Sequence, residues 1–312
     1  MILVTGANGF LGSWICKILQ KNQVNWRGLV SLESNTIRFS QIERENLIVS
    51  ASDSWVDVIR ATKPSIVISC DWSGVSNIDR NSSAVQNSNV MRIEKLAHAS
   101  KESSVKRFIS FGSQAENGPI NIAADEKNYD LPTTNYGIAK VQTRILLEEI
   151  FANSETIFTW GRIFSTYGEM DNLNWLIPSM VKSFSQGDEF NLTSGLQEWS
   201  FLHAYDFANA IIKILNSPMS QGLFNIGNSK TVKIIDVANY IAKAMDSEAL
   251  LRVGSEKLRQ DQVFLLKPKT ENLEAIGWQP IIKIEEGLLN YINWYKNNTL
   301  HFKGINLSQY PK

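Results

Sequence analysis

Tyr136 and Lys140 stand four residues apart in Asn135-Tyr136-Gly137-Ile138-Ala139-Lys140, at the start of a segment with helical periodicity. On a helix that spacing puts both side chains on one face. An ammonium a few ångströms from a phenol favours the phenolate and lowers a pKa near 10 by about 1–3 units, giving an acid or base of use near neutral pH. Upstream, the apolar run Phe108–Phe111 reads as a strand and leads into Gly112-Ser113-Gln114-Ala115-Glu116-Asn117-Gly118. The Ser113 hydroxyl therefore falls at a carboxyl edge, where parallel sheets bind their ligands. A Tyr–Lys pair alone is ordinary helix surface. With a hydroxyl delivered to the same edge, Ser113, Tyr136 and Lys140 form a candidate proton-transfer set.

A second chemistry lies in Thr5-Gly6-Ala7-Asn8-Gly9-Phe10-Leu11-Gly12, which follows one strand and opens one amphipathic helix. Glycines there let the backbone approach a pyrophosphate, and the free N–H groups of the helix start point at it. The last glycine allows tight packing of helix on sheet. Gly6, Asn8, Gly9, Phe10, Leu11 and Gly12 are the candidate dinucleotide contacts; a turn of purely structural use is the competing reading.

Around these residues the first half alternates short apolar runs with helical periodicity, the pattern of strand-helix-strand units in a parallel sheet. Strands are predicted at Ile2–Thr5, Trp26–Val30, Leu47–Val49, Ile66–Ser69, Phe108–Phe111 and Thr156–Trp160. Leu11, Trp14, Ile15, Ile18 and Leu19 make one helical stripe; further helices are expected from about 81 to 98 and 136 to 151. The fold class is therefore α/β, a Rossmann-type doubly wound parallel sheet with a smaller C-terminal α/β region. Residues 1–163 would bind the dinucleotide and 164–312 mainly the substrate, with about 200–227 returning to the sheet. Two later helices are marked by Phe207, Ala210, Ile211, Ile214 and Leu215, and by Leu288, Leu289, Ile292 and Tyr295. From about Thr299 periodicity stops, and the tail is expected to be loosely attached.

Composition narrows the partners. Lys plus Arg and Asp plus Glu both number 31 in 312 residues, so no basic excess exists for a nucleic acid backbone. No apolar run reaches the roughly 20 residues of a membrane span. Only Cys16 and Cys70 are present, which suits reduced thiols in the cytoplasm. His98, His203 and His301 are scattered without metal-ligand spacing, and no metal is expected.

The spacing Gly6, Gly9, Gly12 has one residue more between its first two glycines than the common dinucleotide fingerprint. With the Tyr136–Lys140 pair, it resembles the extended short-chain dehydrogenase/reductase family, whose epimerase/dehydratase members modify nucleotide-linked sugars. The similarity covers nearly the whole chain: Pro132-Thr133-Thr134-Asn135-Tyr136-Gly137, Gly161 to Gly168, Trp199 to Asp206, and Ala275 to Pro280. It implies that Tyr136 exchanges a proton with a sugar hydroxyl. Lys140 would hold the cofactor ribose, and Ser113, five before Gly118, would bond the reacting oxygen. It implies cofactor contacts at Asp53, with a helix N-cap as the alternative, and at Asn89. Gln114, Ser165, Asn174, Trp175 and Arg259 fall on the substrate side. There Trp175 either stacks on the base or packs in the core, and Arg259 clamps the diphosphate or stays solvated. Trp199 stands where an Arg is frequent. A homodimer through the two long helices is implied as well.

The second strand ends in Leu29-Val30-Ser31-Leu32-Glu33, without an acid at its tip for ribose hydroxyls. Ser31 thus tilts the reading toward NADP(H) over NAD(H). Glu33 would serve the ribose if the loop folds back, Arg38 would meet a 2′-phosphate, and solvation is the alternative for each. Family members that dehydrate sugars carry an Asp-Glu pair where this chain has Gln114 and Ala115, which exchange no protons. What remains is a 4-reductase of a nucleotide-linked 4-keto-6-deoxyhexose or a 4-epimerase. The stretch Ser110 to Glu116 is most similar to deoxysugar synthases of the reductase type in O-antigen pathways. A cofactor-sensing protein without turnover is the reading from another class.

Overall fold

The computed structural model describes residues 1–75, 79–126, 130–218, 220–258, 262–298 and 307–311. Among them, seven strands form one parallel sheet: β1 (Ile2–Thr5), β2 (Trp26–Val30), β3 (Leu47–Val49), β4 (Ile66–Ser69), β5 (Arg107–Ser113), β6 (Ile157–Ile163) and β7 (Gly222–Ile226). Their order is β7-β6-β5-β4-β1-β2-β3. The chain winds outward from β1 on one side and from β4 on the other, which leaves a crevice above the carboxyl ends of those two strands. β5 and β6 run past the predicted apolar segments, so Ser113 itself ends a strand.

The longer helices are α1 (Phe10–Lys21), α2 (Trp55–Thr62), α3 (Ser83–Glu102), α4 (Asn135–Phe151), α5 (Leu176–Gln186), α6 (Ala204–Asn216), α7 (Ile234–Ala244) and α8 (Ile284–Asn298). α1 and α6 cover one sheet face around Val4, Ile68, Ile109 and Phe111. α2, α3 and α4 cover the other around Leu3, Val67 and Phe108. Both faces are thus buried, which is why the strands read as unbroken apolar runs. On α1 the expected stripe of Trp14, Ile15, Ile18 and Leu19 is sealed, and because α6 packs on its flank Cys16 and Lys17 are buried too. The Lys17 ammonium is tolerated there by Glu43 at 2.9 Å.

A separate core joins Tyr167, Ile177, Met180 and Phe184 to Val237, Ile241, Leu288 and Tyr291 of α7 and α8. The expected loose tail is corrected at its far end. Tyr310 is buried, stacks on Tyr205 with ring centroids 4.7 Å apart and donates to Glu169. No helix among the described residues is long and apolar enough to cross a membrane.

Candidate active site

Ser113 closes β5 and caps the turn that follows. Its Oγ accepts the Ala115 N–H at 3.3 Å, and its own N–H donates to Glu116 Oε1 at 2.7 Å. α4 starts from a Thr134 cap, whose Oγ1 accepts the Gly137 N–H at 3.1 Å. Gly137 is small for a reason: a Cβ there would stand 2.4 Å from the Ala115 carbonyl oxygen. Helix and turn therefore touch, and Tyr136 reaches Ser113 in a hydrogen bond. One helical turn on, Lys140 Nζ donates to the Phe111 carbonyl at 2.7 Å. The three residues meet at the carboxyl edge of β5.

Their electrostatics differ from the expectation. Burial pushes the Tyr136 phenol above its ordinary value. The Ser113 hydrogen bond and the Arg80 guanidinium draw it back, and Glu116 adds to the rise. Arg80 lies 4.7 Å from the ring centroid. Lys140 does not depress the phenol as the spacing suggested. Its ammonium sits 5.7 Å from the Tyr136 ring centroid but 3.5 Å from that of Trp72. Burial pushes Lys140 itself down to about 7, opposed by Glu116, Asp71 and Cys70 and aided by Arg92. An amine only partly charged near neutrality has little field to lend.

The glycine turn has the shape an anion needs. Gly6 adopts φ 62, and a Cβ would lie 2.7 Å from the Asp71 backbone. One on Gly12 would lie 2.4 Å from the Gly6 carbonyl oxygen. Gly9 starts α1 with no side-chain cap and no acid in the first turn, leaving the N–H groups of Phe10, Leu11 and Gly12 for a ligand. Asn8 donates to the Asn35 carbonyl, and its buried Oδ1 has no partner among the described residues. Asp71, the acid beside this site, accepts from Thr5 and Ser69 and pairs with Arg92 at 2.6 Å. A pyrophosphate fits this arrangement.

At the tip of β2 the Ser31 and Ser34 hydroxyls share a hydrogen bond of 2.8 Å. Arg38 is already engaged: Nη1 donates to the Asn8 carbonyl at 3.0 Å and Nη2 to that of Met170 at 3.0 Å. Asp53 is exposed in a short turn after β3 and caps nothing; α2 starts at Ser54 without a side-chain bond. Asn89 is fully buried and grips the Ser73 backbone, accepting its N–H at 3.0 Å and donating to its carbonyl at 2.9 Å. It shapes the loop after β4.

Residues 2–227 match the profile of the NAD dependent epimerase/dehydratase family, well over half of the chain. The chain belongs to that family. Mouse dTDP-D-glucose 4,6-dehydratase is 22% identical over 232 residues, 72% of this chain and 65% of the mouse protein; the chain thus spans less than two thirds of that relative's length. CDP-abequose synthase of Salmonella muenchen is 25% identical over 148 residues, 47% of this chain and 50% of the synthase. UDP-glucose 4-epimerase of Thermotoga maritima, solved with UDP-glucose, superposes with a TM-score of 0.86 at 18% identity, covering 96% of this chain and 99% of that one. The shared fold is the one described above.

Within this epimerase/dehydratase member the residues expected on the substrate side fall in separate places. Gln114 is half-buried and lines a cavity with Asn117, Phe164, Val263 and Leu265. Ser165 accepts the Leu202 N–H at its carbonyl, 2.8 Å away. Asn174 and Trp175 precede α5 and are exposed; at 37% exposure Trp175 is no core residue. Arg259 lies outside the described residues. Sequence reasoning missed Asp71 and Trp72, although they follow β4 by a single residue, Cys70, and so had to fall on the same edge as Ser113. It also missed Arg80 and the Glu116–Arg162 pair, which no spacing rule announces.

Proposed function

We propose that the chain is an NAD(H)-dependent oxidoreductase of a nucleotide-linked sugar, working as a 4-reductase of a 4-keto-6-deoxyhexose. The observation that carries this reading is the Ser113–Tyr136–Lys140 set, half-buried at Ser113 and buried at Tyr136 and Lys140, with no free acid beside it among the described residues. Gln114 and Ala115 exchange no protons, and Glu116, fully buried, is spent on Arg162 at 2.9 Å. Eliminating water from a hexose needs both a free acid and a free base, so dehydration is disfavoured.

Tyr136 would deliver its proton to the C4 oxygen while Ser113 bonds that oxygen and orients it. Lys140 would hold the ribose beside the phenol. When bound, the cofactor supplies the hydride that C4 receives. Gly6, Asn8, Gly9, Phe10, Leu11 and Gly12 would hold its pyrophosphate, Ser31 its adenosine ribose and Asp53 its adenine. Asn89 would act through the Ser73 loop. Gln114, Ser165, Asn174 and Trp175 would face the nucleotide sugar, with Arg259 on its diphosphate. The leaning toward NADP(H) finds no support: to meet a 2′-phosphate, Arg38 would have to release two carbonyls. NAD(H) also agrees with the family's dependence.

Similarity to CDP-abequose synthase favours the reductase; C4 epimerisation is the second reading, favoured by the whole-chain likeness to a 4-epimerase. By packing, residues 1–163 with α6 and β7 would form the cofactor part of a cytoplasmic protein. The deciding experiment mixes the protein with NADH or NADPH and a panel of 4-keto-6-deoxy nucleotide sugars. Stoichiometric loss of absorbance of the reduced cofactor supports the reductase. No loss, with an intact nucleotide hexose converted to its C4 epimer, replaces it by the epimerase. Tyr136→Phe is expected to lower turnover by roughly 10²- to 10⁴-fold with cofactor affinity kept; full turnover in that variant contradicts the mechanism.

A further inference from the structure

Beneath the proton-transfer set runs a chain of charges, buried at Glu116 and Arg162 and reaching the surface at Asp130. Among the described residues, three donors converge on the Glu116 carboxylate. The Ser113 N–H lies 2.7 Å from Oε1, the Trp160 indole N–H 3.3 Å from both oxygens, and Arg162 Nε 2.9 Å from Oε2. Arg162, itself buried, continues to Asp130 at 3.1 Å, and Asp130 pairs with Arg144 on α4. Gly112 makes room for this carboxylate, since a Cβ there would stand 1.8 Å from Oε1. A buried ion pair is a poor way to stabilise a fold, because desolvation offsets most of its attraction and an apolar pair of equal volume serves as well. Position gives the better account. One end of the chain of charges holds the Ser113 backbone, and the other sits on the helix that carries Tyr136 and Lys140.

We infer that Glu116 is a positioning residue for proton transfer, clamping the Ser113 turn against α4 and presenting a fixed negative charge to Tyr136 and Lys140. The inference rests on reading those residues as the proton-transfer set. Other groups face them as well: Arg80 and Ser113 face Tyr136, while Asp71, Cys70 and Arg92 face Lys140. Glu116 is the carboxylate common to both, and Arg162 and Arg144 face it in turn. A nearby negative charge holds both protons more tightly, so its removal moves both titrations to lower pH.

Two substitutions separate charge from reach. Glu116→Gln keeps the shape and the acceptor for Ser113 but loses the charge; Glu116→Asp keeps the charge but is one methylene too short to hold Ser113 and Arg162 together. In the cofactor-free protein, the Lys140 side-chain ¹³C resonance, assigned against Lys140→Met, is expected to titrate at lower pH in Glu116→Gln and unchanged in Glu116→Asp. Turnover in Glu116→Asp is expected to fall on the order of 10²-fold, with cofactor affinity kept. An unmoved Lys140 midpoint in Glu116→Gln, or full turnover in Glu116→Asp, overturns the inference. If Glu116→Gln fails to fold, Glu116→Asp still decides the clamp. Failure of the underlying functional reading has a different signature, full turnover in Tyr136→Phe.

Discussion

Lys140 occupies a costly place for an ammonium, 4% exposed, with one carbonyl and one indole face as company. The unfolded chain keeps its proton up to the ordinary 10.5, whereas the folded chain releases it at about 7. Unfolding therefore takes up a proton between those values, and stability rises with pH across that window. Below about pH 7 the buried charge weighs on the folded state in full. Lys140→Met is thus expected to raise the Tm of the cofactor-free protein most near pH 6 and progressively less toward pH 10. A gain independent of pH in thermal melts contradicts this account. At this scale the sequence disclosed which residues meet but not what the meeting does to them. The four-residue spacing delivered Tyr136 and Lys140 to one face. The sign of the Tyr136 shift is set by burial among residues from distant parts of the chain, where Trp72 packs edge-on at 6.1 Å.

The elements that place these residues approach one another closely. α4 lies against the Ala115 turn without space for a methyl group, so Gly137→Ala must push the helix away from a backbone oxygen. The expected result is a loss of roughly 1–3 kcal/mol in denaturant unfolding, together with weakened turnover as Tyr136 leaves Ser113. Unchanged stability means the helix has room to yield. Legibility of the elements follows the same physics. β1 to β6 were readable because a sheet buried on both faces writes apolar runs. β7 was readable only as part of the stretch returning to the sheet. Pairs such as Thr166–Tyr167 and Leu202–His203 are too short to show any period, yet they join into a small parallel ladder. Asp53 is of a type that caps helices, but the short turn Ser52–Ser54 holds it one residue short of the cap position, which Ser54 occupies.

Over the whole molecule, α3 and α4 present apolar side chains to solvent. Ile138 and Ile145, seven apart on α4, are 40% and 44% exposed, and Met91 on α3 is 57% exposed. We infer a homodimer through this face, since such a surface is better buried against a second copy. Light scattering is expected to give twice the chain mass, and Ile145→Glu to halve it while the monomer stays folded; a wild-type monomer at micromolar concentration refutes this. The outline of this scale was legible in the first six strands and the turn between β1 and α1. The docking of Tyr310 was not, since it depends on Glu169 and Tyr205, which no local pattern ties to the chain's last residues.

Arg38 joins two parts of the chain far apart in sequence. One end of its guanidinium holds the Asn8 carbonyl of the glycine turn, the other the Met170 carbonyl, four residues before Asn174. Met170 is buried and held at φ 68, a conformation that its surroundings must enforce. On the proposed function, a dinucleotide that shifts the turn would pull on Arg38, and through it on the segment that leads to Asn174 and Trp175. Thermodynamic linkage then makes the traffic reciprocal: whatever factor the first ligand imposes on the affinity of the second, the second returns to the first.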